Sequence, residues 1–410
     1  MPKKIGIVGA GTAGLHLALY LQKHGVDVTL FSDKRAEDYA SMRLPNTVAH
    51  FAVTIDREKE LGVNHWQTGE VGYFGHHYYI GLPEPMRFYG DLRSPSRAVD
   101  YRIYLPALLT DFVERGGNVE YRAIQQEDYA ALGEEFDLVV VSTGKGTGDM
   151  FPKIPELSPH TKPQRQLCVG LFKGIEQLPS RSVTMYFSPG AGEMIEIPTL
   201  TFSGLQSALV IENLPGGELE ILATTKYDDD PEAFKTLLLE KLAKHYPTCF
   251  ERIDQAEFGL ANSDLDILQG GVVPAVRQTS IALESGTIAI ALGDVQNTVD
   301  PMLGQGANAA AQAAWVLGEE IVANEVFDAR FVEKVDNRRN DRVHAATRWT
   351  NHMMASLESF PPEFGAFVGA LASNPTLADV FTDNFNHPQN QWDVFASPER
   401  IAAFCSSADA

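Results

Sequence analysis

Cysteine is scarce: the 410 residues hold three, Cys168, Cys249 and Cys405, far apart and without a CxxC pair. Such an odd, dispersed set supports neither a disulfide framework nor a zinc site, and it fits a reducing cytoplasm. Basic charge is also in short supply, with 33 Lys and Arg against 54 Asp and Glu and a formal charge of -21. That balance repels phosphate backbones and anionic membrane surfaces, so nucleic acid and membranes are not expected partners. Long apolar runs are missing apart from Ile5 to Leu21, which follows Lys3 and Lys4 and imitates a signal peptide. Gly9, Gly11 and Gly14 interrupt it where a strand would turn tightly into a helix beside a ligand. With 44% hydrophobic and 21% charged residues and no repeat or low-complexity tract, what remains is an ordinary folded chain. Its length suggests two or three domains.

Ile5–Val8 reads as a short buried strand, Thr12–His24 as a helix and Val26–Phe31 as a β-branched strand, together a βαβ unit. Nearly continuous apolar strands imply a parallel sheet covered on both faces, hence a doubly wound α/β domain. From Arg43 to Tyr89 the pattern changes to turns and aromatic, alternating stretches such as Gly72–Tyr79, which looks like an insertion. The helix Tyr101–Arg115 and the strand Asp137–Val141 return to the first domain. Strands expected at Cys168–Phe172, Ser182–Phe187, Ser207–Ile211 and Leu219–Leu222 suggest an antiparallel sheet. Asp230 and Pro231 open an amphipathic helix as cap and first residue. Thr287–Leu292 is again strand-like, followed by a helix at Ala307–Ala323. The expected organisation is a discontinuous cofactor domain (1–45, 98–150 and 275–330), a substrate domain (46–97 and 151–274) and a C-terminal helical segment (331–410).

Gly9-Ala10-Gly11-Thr12-Ala13-Gly14 satisfies GxGxxG between a strand and a helix, where backbone N–H groups and the helix dipole can hold a pyrophosphate. The acidic residue that usually closes the second strand is not obvious, since Phe31 is followed by Ser32 and only then Asp33. A second signal favours FAD over NAD: Asp294 at a strand end, then Pro301, Gly304, Gln305, Gly306, Ala307 and Asn308 opening a helix. The carboxylate could accept ribityl hydroxyls, the glycines admit an isoalloxazine ring, and the helix N-terminus could favour negative charge on the reduced ring. Arg43 is a candidate for the flavin or pyrophosphate. His50, His76 and His77 lack metal-ligand spacing, so no metal is expected.

These residues, with RLPNTVAH at 43–50, FYGDLRSPSRAVDYR at 88–102, VDPMLGQGAN at 299–308 and DNFNHPQNQWDVFASPERI near the end, resemble the flavoprotein monooxygenases. Within them the chain is similar to the two-component styrene and indole monooxygenases over essentially its whole length. The resemblance implies a mixed α/β and α+β architecture, a Rossmann-type FAD-binding domain of the p-hydroxybenzoate hydroxylase-like fold with an inserted antiparallel substrate domain and C-terminal helices. It further implies that FADH2 comes from a separate NADH-dependent flavin reductase and reacts with O2, and that a flavin C4a-(hydro)peroxide passes one oxygen atom to a small aromatic alkene. An alkene attacks such an electrophile without deprotonation, so the protein chiefly supplies a dry, oriented cavity.

Styrene-type members carry the residues found here at Asn46, Val48, His50, Tyr73, His76 and Ser96, so the resemblance favours styrene epoxidation. It gives Asn46 the catalytic part, orienting peroxide or substrate through its amide. Val48, His50, Tyr73, His76, Ser96 and Leu303 then shape the substrate site. Without the resemblance, the aromatic run reads as cross-strand pairs and Ser96 as a turn or cap. The alternatives are an indole monooxygenase, a self-sufficient NAD(P)H-dependent hydroxylase of the same fold and a flavin-binding protein without catalysis. A homodimer is compatible with all of them.

Overall fold

The structure, a computed structural model, describes residues 3–81, 85–144 and 149–407. Strand β1 (Lys4–Val8), helix α1 (Thr12–Lys23) and strand β2 (Asp27–Ser32) begin the chain. Next come β3 (Ala49–His50), α2 (Ala52–Leu61), α3 (Thr68–Val71) and the long strands β4 (Gly72–Ile80) and β5 (Met86–Val99). Then follow α4 (Tyr101–Glu114), β6 (Asn118–Tyr121), α5 (Asp128–Glu135) and β7 (Leu138–Val141). The middle of the chain forms β8 (Gln166–Lys173), β9 (Val183–Ser188), β10 (Gly192–Thr201), β11 (Gly204–Asn213), α6 (Ile221–Thr224), α7 (Pro231–His245) and α8 (Pro247–Phe250). After these come β12 (Gly259–Leu260), β13 (Ile267–Gly271), β14 (Ala275–Val276), β15 (Ser280–Ala282), β16 (Ile288–Ala291) and β17 (Asn297–Thr298). Helices α9 (Gln305–Ala323), α10 (Ala329–Ser359), α11 (Pro362–Ser373), α12 (Pro375–Asp383), α13 (Pro388–Phe395) and α14 (Pro398–Ser406) complete it.

Two sheets carry the architecture. A six-stranded sheet, ordered β15-β16-β7-β1-β2-β6, is parallel apart from β15. Its central strands are apolar throughout, as burial on both faces requires. Helix α1 is buried along nearly its whole length and packs on α4 and α9. The nine-stranded sheet runs β12-β8-β11-β10-β9-β4-β5-β3 with β13 also on β8, and its pairings are mostly antiparallel. One face packs on α10–α14 and the other on α7. The six-stranded sheet draws on 4–32, 118–141 and 280–291, the nine-stranded one on 49–99 and 166–271, so the chain crosses between them repeatedly.

One expected strand is a helix. Leu219–Leu222 forms a 3-10 turn at Glu218–Glu220 and the start of α6. Leu219, Leu222 and Ala223 are buried while Ile221 is 43% exposed. This is the i, i+3 spacing of a helical face; a strand would have put Leu219 and Ile221 on the same side. The strand β10 has no clear alternating signature because its acidic residues point inward. Glu193 pairs with Arg165 at 2.7 Å, and Glu196 pairs with Arg252.

Candidate functional site

At the end of β1 the chain turns through Gly9, whose φ of +110° and close approach to Ser142 O leave no room for a side chain. The three motif glycines have different tasks. A Cβ on Gly14 would stand 1.9 Å from Gly9 O, so Gly14 lets α1 lie against the turn and stays behind the cavity wall. A Cβ on Gly11 would meet nothing of the protein closer than Ser142 O at 4.0 Å. Gly11 is the N-cap of α1 and no side chain caps that helix, so its first-turn N–H groups face a cavity of about 770 Å³ with Gly9, Gly11, Thr12 and Ala13 in the wall.

The cavity continues past Asp33, which follows directly on β2, past Tyr101, Arg122 and Ser142, to Asp294, Pro301, Gly304, Gly306 and Ala307. Its volume lies within the range of about 300–1,000 Å³ usual for cofactor sites. Asp33 stands where a carboxylate can hold a ribose. At the far end Asp300 accepts from Met302 N at 3.2 Å and caps the turn Pro301–Leu303; Gly304, with φ of +62°, then starts α9, again without a side-chain cap. Two uncapped helix N-termini therefore open onto one cavity. Asn46 also lines it, with its buried Oδ1 unpartnered. A glycine cradle, a strand-end acid, two sources of backbone N–H groups and an orphaned amide oxygen fit a flavin dinucleotide.

A second, apolar cavity of about 40 Å³ adjoins the first and shares Thr47, Val210, Pro301 and Gly304 with it. Tyr73, His76, Leu303 and Phe385 line it. His76 Nδ1 is 3.2 Å from Tyr78 Oη, its Nε2 has no partner, and its ring stands edge-on to Phe385 at 4.7 Å. Burial pushes this imidazole down to about 3, so it is neutral at pH 7. Burial also raises the Tyr73 phenol well above its ordinary value.

Several expected site residues lie elsewhere. Val48 lines the large cavity rather than the small one. Ser96 sits on β5 opposite Tyr73, behind the wall of both. The Arg43 guanidinium is 40% exposed and held by Asp228 at 2.9 Å, because Asp228 and the carbonyls of Asp264 and Ile267 offer it nearer partners than the cavity does. Gln305 and Asn308 turn inward. Gln305 donates to Phe385 O at 3.1 Å. Asn308 accepts from Phe51 N and Thr54 Oγ1 and donates to Ala49 O and Gly304 O, pinning the start of α9.

His50 is outside both cavities as well. Its Nδ1 pairs with Glu58 Oε1 at 2.7 Å and its Nε2 lies 3.0 Å from Tyr101 Oη, which accepts from Thr12 Oγ1 at 2.8 Å. Glu58 also takes a hydrogen bond from Tyr104 at 2.8 Å and an ion pair from buried Arg97. Burial by itself would raise the Glu58 carboxyl, but the His50 hydrogen bond and the His50 and Arg97 charges hold it at about 2. This network backs the cavity wall at Thr12 and Tyr101. Sequence reading missed Glu58, Tyr101 and Tyr104, because spacing carries no sign of contacts made between α1, α2 and α4. Among the described residues no cluster of His, Cys, Asp or Glu could hold a metal ion, and no helix is long and apolar enough to cross a membrane.

The fold recurs in solved flavoproteins. The myxobacterial chondrochloren halogenase CndH superposes with a TM-score of 0.62 at 15% identity, covering 100% of this chain and 92% of that one. For the flavin-dependent brominase Bmp2 the values are 0.59 and 14%, covering 98% and 93%. For PqsL of Pseudomonas aeruginosa, described as a probable FAD-dependent monooxygenase, they are 0.60 and 15%, covering 87% and 96%. At 14–15% identity these likenesses show the fold, the p-hydroxybenzoate hydroxylase-like fold, and the large cavity lies where the glycine turn of that fold opens.

Sequence comparison narrows the class. Styrene monooxygenase StyA from a Pseudomonas species is 60% identical over 407 residues, 99% of this chain and 98% of the relative, and StyA from Pseudomonas fluorescens matches equally. The family model "Styrene monooxygenase A putative substrate binding domain" matches residues 144–252. The chain belongs to the styrene monooxygenase family.

Proposed function

We propose that this chain is the oxygenase component of a two-component monooxygenase, converting styrene to styrene oxide with O2 and with FADH2 from a separate NADH-dependent flavin reductase. The observation that carries this reading is the junction at Pro301 and Gly304 between a cavity that fits a flavin dinucleotide and a small apolar one. Reduced FAD, when bound, supplies the electrons that activate O2. The protein's part is to bind, orient and exclude water. Gly9, Gly11, Thr12 and Ala13 would cradle the pyrophosphate, Asp33 the adenosine ribose, and Asp294 the ribityl chain. Gly304, Gly306 and Ala307 bring the α9 N-terminus, which favours negative charge, to the opposite end. Asn46 offers an amide to the reacting oxygen or the substrate.

The small cavity suits an alkene. His76 is neutral and the Tyr73 phenol stays protonated, so neither acts as a base, and oxygen transfer to a double bond needs none. Among the described residues no Lys or Arg lines it, so a carboxylated aromatic substrate finds no counter-charge from them there. The division into cofactor, substrate and C-terminal segments is part of the same reading. A cytoplasmic location is supported by three free thiols. Transfer of reduced flavin by diffusion is the simplest arrangement, since the chain need only present a receptive site.

The test combines purified chain, FAD, NADH, O2 and styrene, with and without a generic flavin reductase, and quantifies styrene oxide by chiral chromatography. Epoxide only with the reductase is the expected result. NAD(P)H consumption by the chain alone would point to a self-sufficient hydroxylase, and no turnover of styrene would turn attention to indole.

A further inference from the structure

A third cavity, of about 60 Å³, lies between the sheet face of β4, β9 and β10 and helices α10–α12. It shares Met185, Ile195, Met302, Leu303 and Phe385 with the 40 Å³ cavity, so the two adjoin across these residues. Its polar groups are already engaged. Tyr78 Oη lies 3.0 Å from Thr382 Oγ1, Tyr186 donates to Glu196 at 3.0 Å, and Glu193 is paired with Arg165 at 2.7 Å. A cavity that offers water no free partner stays dry and accepts hydrocarbon.

The volumes set the argument. A cavity of about 150 Å³ with such walls admits benzene, whereas the one beside the flavin-sized cavity measures about 40 Å³. A vinyl-substituted ring can seat there only by displacing part of the wall. Toward the large cavity that wall is Thr47 and Val210, β-branched and stiff at χ1, and the turn from Pro301 to Gly304, pinned by the Asp300 cap and by the Asn308 bond to Gly304 O. Toward the third cavity it includes Met185 and Met302, unbranched thioethers that change rotamer at little cost. The compliant direction leads away from the cofactor, toward α10 and α11.

Resting on the reading of the substrate as an aromatic alkene, we propose that the third cavity is the distal half of the substrate site. The vinyl end stays at Pro301–Gly304, and the far edge of the ring, with any apolar ring substituent, crosses the Met185–Met302 seam to lie against Leu357 and Val368. The upper limit on substrate size is then set by α10 and α11, outside the matched residues 144–252 and away in sequence from Asn46, Val48, His50, Tyr73, His76 and Ser96.

The experiment uses full-length chain with 13C-methyl methionine, titrated with benzene in the absence of flavin, in wild type, Leu357→Phe and Val368→Phe. Both substitutions fill the distal cavity, and using two guards against one failing to fold. Benzene is expected to shift the Met302 and Met353 methyl signals saturably in wild type, and the Met353 response is expected to vanish in the variants. In coupled assays with the reductase, kcat/KM for 4-tert-butylstyrene relative to styrene should fall at least tenfold in a folded variant. A silent Met353, or an unchanged ratio in both folded variants, overturns the distal site while leaving styrene epoxidation intact. Saturable benzene binding at Met353 with no epoxide from either alkene keeps the cavity as a hydrocarbon site and overturns the function instead.

Discussion

His50 Nδ1 lies 2.7 Å from Glu58 Oε1, with both side chains buried, in a network that reaches the cofactor cavity through Tyr101 and Thr12. The carboxylate fixes the imidazole: with Nδ1 donating to Glu58, Nε2 is left to meet the Tyr101 hydroxyl. Glu58 also neutralises Arg97, which is 1% exposed. Replacing it by Gln would leave that guanidinium as an uncompensated buried charge, at a cost of about 3–5 kcal/mol. Urea unfolding of Glu58→Gln at pH 7 measures it, and a loss below about 1 kcal/mol would show that Asn64 and the Trp66 carbonyl suffice for Arg97.

The motif glycines should separate by phenotype. Gly14→Val places its branch on Gly9 O, where a Cβ already comes within 1.9 Å, and neither backbone can yield without opening the β1–α1 turn. This variant should not fold. Gly11→Val finds open space instead and should fold with a normal circular dichroism spectrum, while its side chain occupies the cavity. Its FAD affinity should fall by at least about a hundredfold, roughly 2.7 kcal/mol. Retained affinity would place the cofactor elsewhere.

Asn46 has a buried amide oxygen without a partner, so the fold gains nothing from it. Asn46→Ala should leave the melting temperature and FAD affinity nearly unchanged while epoxide formed per reduced flavin drops several-fold and hydrogen peroxide rises. Unchanged coupling would remove the amide from the chemistry. Arg43→Ala should alter little, because its bond to Asp228 is solvent-exposed and worth under about 1 kcal/mol; a large loss of flavin affinity would mean that this arginine swings inward on binding.

Much of this was legible in the sequence, for reasons that differ by element. The βαβ unit, the glycine motif and the α9 start follow from apolar periodicity and from glycines where backbone must approach a ligand, and the structure places Gly9, Gly11, Thr12, Ala13 and Asn46 around one cavity. The strand β10 was not legible, because buried Glu193 and Glu196 read as surface charges until Arg165 and Arg252 are seen opposite them. The family resemblance gave His50 a pocket-lining part, and the glycine-rich start of α9 gave one to Gln305 and Asn308, yet each is claimed by a nearer polar partner. Spacing cannot rank such competitors; only the packing of α2, α4 and α9 does.

The last expectation concerns pH. Glu212 is fully buried and faces Asp300, which caps the turn at the junction of the two cavities. Two bare carboxylates have no donor to share, which accounts for the unpartnered oxygens of both; a proton on one of them supplies the bond. Burial, then the negative charges of Asp300 and Glu193, push the Glu212 carboxyl well above its ordinary 4.5, only partly offset by Arg165. Asp300 is raised too, chiefly by burial, with the hydrogen bonds from Glu212 and Met302 N and then the Arg165 charge pulling the other way. A carboxyl whose folded pKa exceeds its unfolded value stabilises the fold fully below the unfolded value and loses that contribution as pH rises, by up to about 1.4 kcal/mol per unit. Glu212→Gln keeps the shape and a donor but cannot ionise, so its melting temperature should gain on wild type as pH rises from 5 toward 9, levelling off only where the Glu212 carboxyl ionises in the fold. His16 and His76, held by burial at about 4 and about 3, add stability with rising pH up to about 6.5 in both proteins and cancel in the difference. A gap that stays constant across this range would mean that Glu212 is ionised in the fold and that Arg165 compensates both carboxylates.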